Sequence, residues 1–379
     1  MRIAEVEAFP VSYPIAAQNR VALGIGTAIK RDAVLVKVTG DQGLAGWGEA
    51  HHGRAHTAVA KLIETTLRQL VVGMSAEDIP AVWEKMYRFQ LASHGMGAGA
   101  CLAISGIDMA LWDLKGKAQD TPLYKLLGGT RRPIPAYAGG VSLGYQAPEA
   151  LVTEARSSLS LGYRALKLRV GDGVAKDIER MQAVREAFGA SVEILTDANT
   201  GYVLDQVRGV MPAMDELGIG WLEEPFPAPD YMSYRAAAKL GRTPLAAGEN
   251  HYTRFEFARL AEDRAVRVFQ PDLSKSGGIT ECLRIAALAA EAGIKVHPHS
   301  SMTGLNHAAT IHFLAAIRNA GYFEGDVSNA NRYRDELVDN PGRIDKDGAV
   351  WPLDRPGLGL EVDERFIERH PPIEGPGYI

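Results

Sequence analysis

Seven polar or charged residues end short apolar runs at nearly regular intervals along the chain. They are Lys167, Asp197, Glu223, Glu249, Asp272, His299 and Glu324. Neighbours in this series lie 23 to 30 residues apart. Acids, a histidine and a lysine are the side chains that proteins use for metal binding and proton transfer. The spacing therefore predicts one site assembled from many distant segments.

Asp197, Glu223 and Glu249 are predicted to hold a divalent cation. Three carboxylates on one rim repel one another, and a cation among them would let all three ionise. A set of oxygen ligands without Cys or His selects a hard ion such as Mg²⁺ over zinc. The alternative is that each acid caps the helix that follows it, which is common for one position but less expected for three in register.

Asp272 and His299 are predicted to form a catalytic pair. A carboxylate that holds one imidazole nitrogen orients the ring and raises its basicity, so the other nitrogen can take or give a proton. His297 lies two residues earlier, on the same face of the strand but deeper, so we favour His299. The alternatives are that His299 is a structural histidine and that Asp272 caps a helix.

Lys167 and Arg169 lie two residues apart on one strand, so their side chains should point the same way. Two buried cations need anions, and the predicted carboxylates with a bound substrate carboxylate would supply them. Surface salt bridges are the alternative. With Mg²⁺, the two cations would stabilise the enediolate that forms when a proton is removed next to a carboxylate.

Alternating strands and helices must position these residues. Helical periodicity separates the apolar runs, for example over residues 175–189, 204–218 and 279–293, and most of these stretches end at glycine. This alternation predicts a parallel sheet of eight strands, beginning at residues 133–140, that closes into a (β/α) barrel. All strands of such a barrel end at one mouth, where catalysis takes place.

The chain is longer than a plain barrel, so a second lobe is expected. Its 379 residues exceed the roughly 250 that a barrel needs. Residues 1 to about 50 predict antiparallel strands, followed by helices. We predict an α/β protein with a modified TIM barrel of (β/α)7β type, since no eighth helix is convincing. The predicted parts are an α+β capping domain (1–128), a catalytic barrel (129–354) and a C-terminal segment (355–379) that returns to the cap.

Composition excludes several classes of protein. A formal net charge of -5 without a basic face argues against nucleic-acid binding. Cys101 and Cys282 lack C-x-x-C spacing, which argues against a disulfide framework or a zinc site and favours a reduced compartment. The N-terminus lacks the apolar core of a signal peptide, and no run approaches the roughly 18 residues of a membrane span. We expect a cytoplasmic protein without a membrane partner.

Two segments of the cap could reach a ligand. The loop from Pro14 to Lys30 is too long for a hairpin turn. His51, His52 and His56 follow the third predicted strand. A loop of exposed or substrate-facing histidines is favoured over a metal site, because no acidic or thiol partner stands at ligand spacing.

With these motifs the chain resembles the enolase superfamily, specifically the mandelate racemase group, along nearly its whole length. The supporting segments are LAGWGEA, AISGIDMALWDLKGKA, PLYKLLGG, ALKLR, TDAN, WLEEP, GEN, QPDLSKSGGITE, VHPHS, YFEGD and RPGLGLEVD. The resemblance implies the same Mg²⁺ ligands and the same catalytic pair. It also implies that Glu324 hydrogen-bonds a substrate carboxylate oxygen, that the cap loops close over the barrel, and that the protein is a homo-oligomer, either a dimer or an octamer.

Two comparisons within the superfamily narrow the chemistry. The muconate group carries a catalytic lysine where this sequence has Asp272, and Lys275 is off register and expected at the surface. Enzymes like mandelate racemase often have a second lysine as a base where this sequence has Arg169, and arginine stays protonated. A two-base racemase is therefore disfavoured, unless Lys167 serves as a base.

The sequence thus predicts an Mg²⁺-dependent dehydratase of a sugar acid, either an aldonate or an aldarate. His299 would take the proton next to the carboxylate and return one to the departing 3-hydroxyl, giving a 2-keto-3-deoxy acid. Arg169 is predicted to bind the substrate, with Asn199, Arg20 and His51 as weaker candidates.

Other functions stay open at this point. Within the superfamily these are a racemase or epimerase and a cycloisomerase. From other classes, Lys167 would suit a Schiff-base aldolase, and a non-catalytic protein that binds sugar acids would keep the pocket without turnover.

Overall fold

The N-terminal strands form an antiparallel sheet, as their alternating sequence predicts. A computed structural model describes residues 1–93, 95–300, 302–329 and 331–379. Its first strands are β1 (Ile3–Pro14), β2 (Ala22–Leu23), β3 (Gly26–Thr27), β4 (Lys30–Gly40) and β5 (Ala45–Ala50). The sheet order is β1-β4-β5, and β2 pairs with β3 in a separate small hairpin.

Helices cover one face of this sheet. They are α1 (His56–Leu62), α2 (Arg68–Val71), α3 (Ile79–Met86) and α4 (Ala98–Ala118). The short helix α5 (Leu123–Leu126) follows α4 and packs into the core of the other lobe. Helix α4 lies directly on β5 because glycines leave room for it. A Cβ atom at Gly46 would lie 2.2 Å from the Ala110 carbonyl oxygen, and one at Gly48 would lie 2.4 Å from that of Gly106.

Eight parallel strands form the barrel. They are β6 (Ile134–Gly139), β7 (Ala165–Arg169), β8 (Glu193–Asp197), β9 (Leu222–Glu223), β10 (Leu245–Ala247), β11 (Val266–Phe269), β12 (Lys295–Val296) and β13 (Phe323–Asp326). Their order is β12-β11-β10-β9-β8-β7-β6-β13. A parallel bridge between Val296 and Ala320 joins β12 to the residues before β13.

Seven helices connect consecutive strands of the barrel. They are α6 (Pro148–Ser160), α7 (Val174–Phe188), α8 (Leu204–Leu217), α9 (Tyr231–Ala237), α10 (Thr253–Asp263), α11 (Gly278–Glu291) and α12 (Gly304–Ala316). Beyond β13 the described residues contain only the short helix α13 (Arg332–Asp335) before the chain leaves the barrel. The predicted (β/α)7β arrangement with an α+β cap is confirmed.

Large side chains fill the interior of the barrel below its mouth. Tyr137, Leu195 and Trp221 belong to one buried cluster contributed by neighbouring strands. Because side chains two residues apart on a strand share a face, Asp197 lies one layer above Leu195 and Glu223 one layer above Trp221. The packed layer therefore supports the charged residues at the mouth from below.

The C-terminal residues run back to the cap. After β14 (Ala349–Val350) pairs with β6, the helix α14 (Glu364–Arg369) reaches the N-terminal sheet. There Lys37 Nζ lies 2.8 Å from Glu364 Oε1, and the Ile29 amide donates to the Gly377 carbonyl at 2.9 Å. Cys101 and Cys282 are free and buried. Among the described residues, none of the helices has the length and hydropathy of a membrane-spanning segment.

Candidate active site

The structure brings the seven residues of the series to the carboxyl end of the barrel. Lys167, Asp197, Glu223 and Glu324 lie within strands, whereas Glu249, Asp272 and His299 follow their strands by two or three residues. In the parallel pairing, Arg169 is opposite Asp197 and Asp197 is opposite Glu223. Neighbouring strands thus place these side chains beside one another.

The ammonium of Lys167 lies below the rim among three carboxylates. Its Nζ is 2.9 Å from Glu223 Oε1, 3.0 Å from Glu324 Oε1 and 3.4 Å from Asp197 Oδ2. Burial by itself would lower the pKa of Lys167, but Glu223 and Glu324 outweigh it and raise the pKa well above its usual value. Lys167 therefore stays charged, which makes it a poor base and a poor Schiff-base nucleophile.

Arg169 reaches the mouth and faces the cavity there. Its Nη1 donates to Asp197 and, at 3.0 Å, to Asn199 Oδ1, while Nη2 donates to the Gly140 carbonyl. Its Nε has no hydrogen-bond partner among the described residues. Both Arg169 and Asn199 line the cavity, so they are placed where they can meet a ligand.

The three predicted metal ligands are occupied by cations and donors of the protein. Glu223 Oε2 accepts from Gln270 at 2.6 Å, and Glu249 contacts His299 and Lys275. Within the described ranges, no three His, Cys, Asp or Glu side chains converge on a point where an ion would sit. Asp197 and Glu223 lie at the ends of adjacent strands and Glu249 just after the next one, and all three carboxylates contact protein partners.

The same rim nevertheless has the chemistry that suits Mg²⁺. Burial raises the pKa of Glu223 to about 7, with Lys167 opposing and Asp197 adding to the shift. Burial and Glu249 also raise the pKa of Glu224 well above its usual value, and Glu224 Oε1 is buried without a partner in the described structure. A hard cation would relieve this excess of carboxylate. The residues at this rim therefore fit Mg²⁺.

Asp272 and His299 form a close pair. Asp272 Oδ2 lies 2.7 Å from His299 Nδ1, while Oδ1 accepts from the Ser274 amide at 2.7 Å and from Asn306 Nδ2 at 3.0 Å. Asp272 therefore accepts at both oxygens and holds a proton on His299 Nδ1. His299 Nε2 lies 2.8 Å from Glu249 Oε2.

His299 is basic and faces the cavity, whereas His297 is not placed for catalysis. Burial would lower the pKa of His299, but Glu249 and Glu324 outweigh it and raise the pKa well above its usual value. His297 Nδ1 accepts from the Tyr322 amide at 3.0 Å, and its ring packs 5.1 Å from Trp221. Burial lowers the pKa of His297 to about 3.

A cavity of about 300 Å³ opens above these residues, between the barrel and the cap. The barrel contributes Gly140, Val141, Arg169, Asn199, Thr200, Glu224, Glu249, Asn250, Tyr252, Lys275, His299 and Met302. The cap and the C-terminal tail contribute Leu23, Ile25, His51, His52, Gly53, Arg54, Leu102 and Tyr378. The cavity is thus shared between both halves of the molecule.

Two of the three cap histidines line this cavity. The rings of His51 and His52 stack with centroids 4.1 Å apart. His51 is tied to the barrel because its amide donates to the Ser274 carbonyl at 3.0 Å. His56 is buried elsewhere, with Nε2 3.1 Å from Ser12 Oγ.

Arg20 and Glu324 lie apart from the cavity surface. Arg20 is exposed, and its Nε donates to the Ile15 carbonyl at 3.2 Å, so the same loop presents Leu23 and Ile25 to the cavity instead. Glu324 is fully buried beneath the mouth, where its oxygens accept from the amides of Gly140 at 3.0 Å and Ser300 at 3.2 Å.

The prediction that Lys275 lies at the surface is wrong. Lys275 is 5% exposed and lines the cavity, with Nζ 3.4 Å from both Glu249 Oε1 and Asn250 Oδ1. Its amide donates to the Asp272 carbonyl at 2.9 Å, so the chain turns back toward the mouth after Asp272. The serines and glycines of the SKSGG segment were a turn signal that could have indicated this.

Sequence reasoning also missed Arg54 and Tyr378, which line the cavity. Arg54 follows the histidine pair directly, and that position was a usable signal. Tyr378 lies near the other end of the chain, and no local pattern connects it to the site.

Known proteins resemble the chain over its whole length. A family model described as enolase C-terminal domain-like matches residues 150–366. A second model, described as the mandelate racemase / muconate lactonizing enzyme N-terminal domain, matches residues 5–128. An arabinonate dehydratase from Saccharolobus solfataricus is 33% identical over 97% of this chain and 99% of its own length. A 3,6-anhydro-alpha-L-galactonate cycloisomerase from Streptomyces coelicolor is 32% identical over 91% of this chain and 92% of its own.

Solved structures superpose closely. A member of the enolase superfamily from Polaromonas sp. JS666 is 53% identical, with a TM-score of 0.98 and complete coverage of both chains. A racemase from Streptomyces coelicolor A3(2), solved with bound magnesium, is 29% identical, with a TM-score of 0.88 over 97% of this chain and 99% of that one.

Proposed function

The chain belongs to the mandelate racemase / muconate lactonizing enzyme group of the enolase superfamily, and from this premise we propose that it is an Mg²⁺-dependent dehydratase of a sugar acid. Its relatives include an arabinonate dehydratase, which supports both the reaction and the substrate class. A related racemase binds magnesium, which supports the metal.

The observation that carries the proposal is the 2.7 Å contact between Asp272 and His299 at the cavity wall. It provides one oriented base. Lys167, which would have to be the second base of a racemase, lies among three carboxylates and does not line the cavity. A single base favours elimination, in which the same residue serves both proton transfers.

Asp197, Glu223 and Glu249 would hold the Mg²⁺. When bound, the ion supplies electrostatic stabilisation to the charge that develops on the substrate carboxylate. Lys167 and Arg169 add fixed positive charge beside the same rim and do not have to reorganise as the reaction proceeds. Asn199 and Arg169 face the cavity and would orient the acid.

His299 carries both proton transfers in this mechanism. From its neutral form, His299 would accept at Nε2 the proton from the carbon next to the carboxylate, while Asp272 keeps the Nδ1 proton in place. The contact with Glu249 raises the pKa of His299 and opposes this neutral form, and it would be lost when Glu249 holds Mg²⁺ instead. The enediolate then expels the 3-hydroxyl, which His299 protonates as it leaves as water. The resulting enol tautomerises to a 2-keto-3-deoxy acid, so one C–H and one C–O bond break for each water released.

The test is a screen of aldonic and aldaric acids for formation of a keto acid, with Mg²⁺ and with EDTA. We expect turnover of at least one acid, loss of turnover in EDTA and its recovery on adding Mg²⁺. Turnover that survives chelation would rule the proposal out.

Cycloisomerisation is the second candidate function. A relative 32% identical to the chain is a cycloisomerase, and Lys275 places an additional cation in the cavity near Asp272. This function predicts solvent deuterium at the carbon next to the carboxylate and a product isomeric with the substrate. Mass spectrometry distinguishes the two outcomes, because dehydration removes one water from the substrate mass.

A further inference from the structure

The cap side of the cavity offers hydrogen-bond donors and a cation but no acid. The cap and tail residues that line it are Leu23, Ile25, His51, His52, Gly53, Arg54, Leu102 and Tyr378. Glu224 and Glu249, the acids of the lining, both come from the barrel side. The two ends of the cavity therefore differ in the chemistry that they present.

Arg54 carries the positive charge of the cavity wall that the cap and the tail form. Its guanidinium carbon lies 5.0 Å from the centroid of the Tyr378 ring. Arg54 is exposed at the cavity wall, and among the described residues no ion pair joins it to an acid. Arg54 also has a φ of +60°, a left-handed conformation that is costly for a residue with a side chain and is often kept for function. A cation held on an aromatic face without an acid is available to an incoming anion.

The C-terminal tail holds Tyr378 in place. The Thr27 amide donates to the Ile379 carbonyl at 2.7 Å, and the Ile379 amide donates to the Thr27 carbonyl at 3.0 Å. A bridge between Ala28 and Tyr378 continues this pairing. The tail therefore acts as a strand beside the cap loop, and it fixes the ring on which Arg54 rests.

His51 and His52 add two further donors. His51 Nδ1 accepts from the Gly53 amide at 3.1 Å, and His52 Nδ1 accepts from the Arg54 amide at 2.9 Å. A ring that accepts at Nδ1 carries its proton on Nε2. Burial lowers the pKa of His52 to about 3, so this ring stays neutral. Each histidine therefore presents an N–H group as its remaining polar atom.

A wall of donors matches a carboxylate better than a hydroxyl. A carboxylate accepts through both oxygens and donates nothing, whereas a hydroxyl also has a proton to place. Lys275 is not counted here, because Glu249 and Asn250 already contact its ammonium. The opposite end of the cavity, beside the barrel rim, is where the reacting carboxylate would bind.

We propose that Arg54, with His51 and His52, forms a subsite for a second carboxylate, so that the substrate is a dicarboxylic sugar acid rather than an aldonic acid. The inference rests on the proposed function and deepens it. Tyr378 is a positioning residue in this subsite, because it acts by holding Arg54.

The first experiment compares acids that differ only at the distal carbon. Galactarate is paired with galactonate, and glucarate with gluconate, and keto-acid formation is measured with Mg²⁺. We expect kcat/KM for at least one dicarboxylic acid to exceed that of its partner by about 10- to 100-fold, the effect of one charge-assisted hydrogen-bonded contact.

Variants assign the preference to Arg54. Arg54→Gln should lower kcat/KM for the preferred dicarboxylic acid by about 10- to 100-fold and change that of its monocarboxylic partner by less than about 3-fold. Arg88→Gln is the matched control, because Arg88 lies on the cap, its side chain is 71% exposed, and it pairs with Glu84 away from the cavity. It should change neither value.

Variants of Tyr378 distinguish a positioning role of this residue from a general loss of structure. Tyr378→Ala should raise KM for the dicarboxylic acid and leave kcat nearly unchanged, while Tyr378→Phe, which keeps the ring, should restore KM. Equal loss of kcat in both variants would contradict the positioning role.

Calorimetry makes the subsite testable without turnover. In a His299→Asn background, galactarate and galactonate are titrated into protein with and without Arg54→Gln. We expect tighter binding of galactarate that Arg54→Gln abolishes. Equal affinities overturn the subsite, even if aldonic acids are dehydrated and the proposed function stands. If no acid is dehydrated at all, the proposed function fails, and the titration still decides the subsite.

Discussion

His299 lies between Asp272 at one ring nitrogen and Glu249 at the other. The first contact is 2.7 Å and the second 2.8 Å. The other oxygen of Asp272 accepts hydrogen bonds from Ser274 and Asn306, which fix the carboxylate in its position beside His299. At the scale of single residues, the proposed chemistry therefore depends most on which ring nitrogen of His299 carries the proton.

Asp272→Asn should keep the fold and remove most of the activity. An amide at this position can donate to His299 Nδ1, which moves the ring proton to Nε2 and removes the base. We expect kcat to fall by about 10²- to 10⁴-fold, as general-base catalysis is worth that much. Steady-state kinetics with circular dichroism checks this. Asp205→Asn, whose native side chain is 85% exposed, is the control and should be as active as wild type.

Glu49 should make stability depend on pH. Burial raises the pKa of Glu49 to about 8, with Thr303 opposing and Asp272 adding to the shift. Its Oε2 accepts from the Thr303 amide at 3.1 Å, and its Oε1 is buried without a partner among the described residues. Because the folded pKa is above that of the unfolded chain, this group's contribution is present at pH 4.5 and is lost as pH rises to 8.

Glu49→Gln should remove that loss, because the amide resembles the protonated acid. Urea unfolding at pH 5, 6.5 and 8 should show the variant gaining on wild type by up to about 1.4 kcal/mol per pH unit in free energy of unfolding. Glu186→Gln, a change at an exposed helical position, should run parallel to wild type. A constant difference between Glu49→Gln and wild type would contradict the assignment.

At the scale of secondary-structure elements, strand ends and loops position the predicted metal ligands in different ways. The barrel strands place Asp197 and Glu223 by register alone, because paired parallel strands end side by side. Glu249 follows β10 through Gly248, and its position depends on how closely two loops approach. A Cβ atom at Gly248 would lie 2.5 Å from the Gln270 backbone nitrogen.

Gly248→Ala should therefore weaken metal binding. The added methyl group would push against the backbone of Gln270, whose side chain holds Glu223 at 2.6 Å, so two predicted ligands shift together. We expect the Kd for Mg²⁺ to rise by about 10- to 100-fold, as for other groups that support metal ligands. Titration calorimetry measures it.

Gly218→Ala is the control for this prediction. A Cβ atom there meets nothing within 4 Å, and its positive φ of 64° should cost only about 1 kcal/mol of stability. Its affinity for Mg²⁺ should equal that of wild type. Equal affinities for both variants would show that the approach of the two loops does not position Glu249.

At the scale of the whole molecule, buried histidines should set the acid limit of the fold. Burial lowers the pKa of His251, His307 and His312 to about 4. A histidine with a lowered folded pKa contributes stability that is present above pH 6.5 and is lost as pH falls to 4. His251 follows β10, whereas His307 and His312 both lie on α12.

Each of these histidines should therefore lower the free energy of unfolding by up to about 1.4 kcal/mol per pH unit between pH 6 and 4.5. Denaturant unfolding across this range measures the slope. His312→Gln should remove one such contribution, so the variant should gain on wild type by up to about 1.4 kcal/mol per pH unit as pH falls through this range. Parallel pH dependences of variant and wild type would contradict the assignment.

The amino-acid sequence by itself determined the barrel and the residues at its strand ends. Periodicity identifies strands and helices locally, and in a parallel barrel every strand end comes to the same mouth, so Asp197, Glu223 and His299 could be placed without coordinates. The spacing of acids and bases then indicates the chemistry.

Only the tertiary structure decided which loop residues face the cavity. Lys275 turns inward and Arg20 does not, although both are basic residues in loops. Tyr378 joins Arg54 because the tail pairs with residues 27–29. The direction of a loop is set by contacts with segments far away in the chain, and local sequence carries no periodic signal for such contacts.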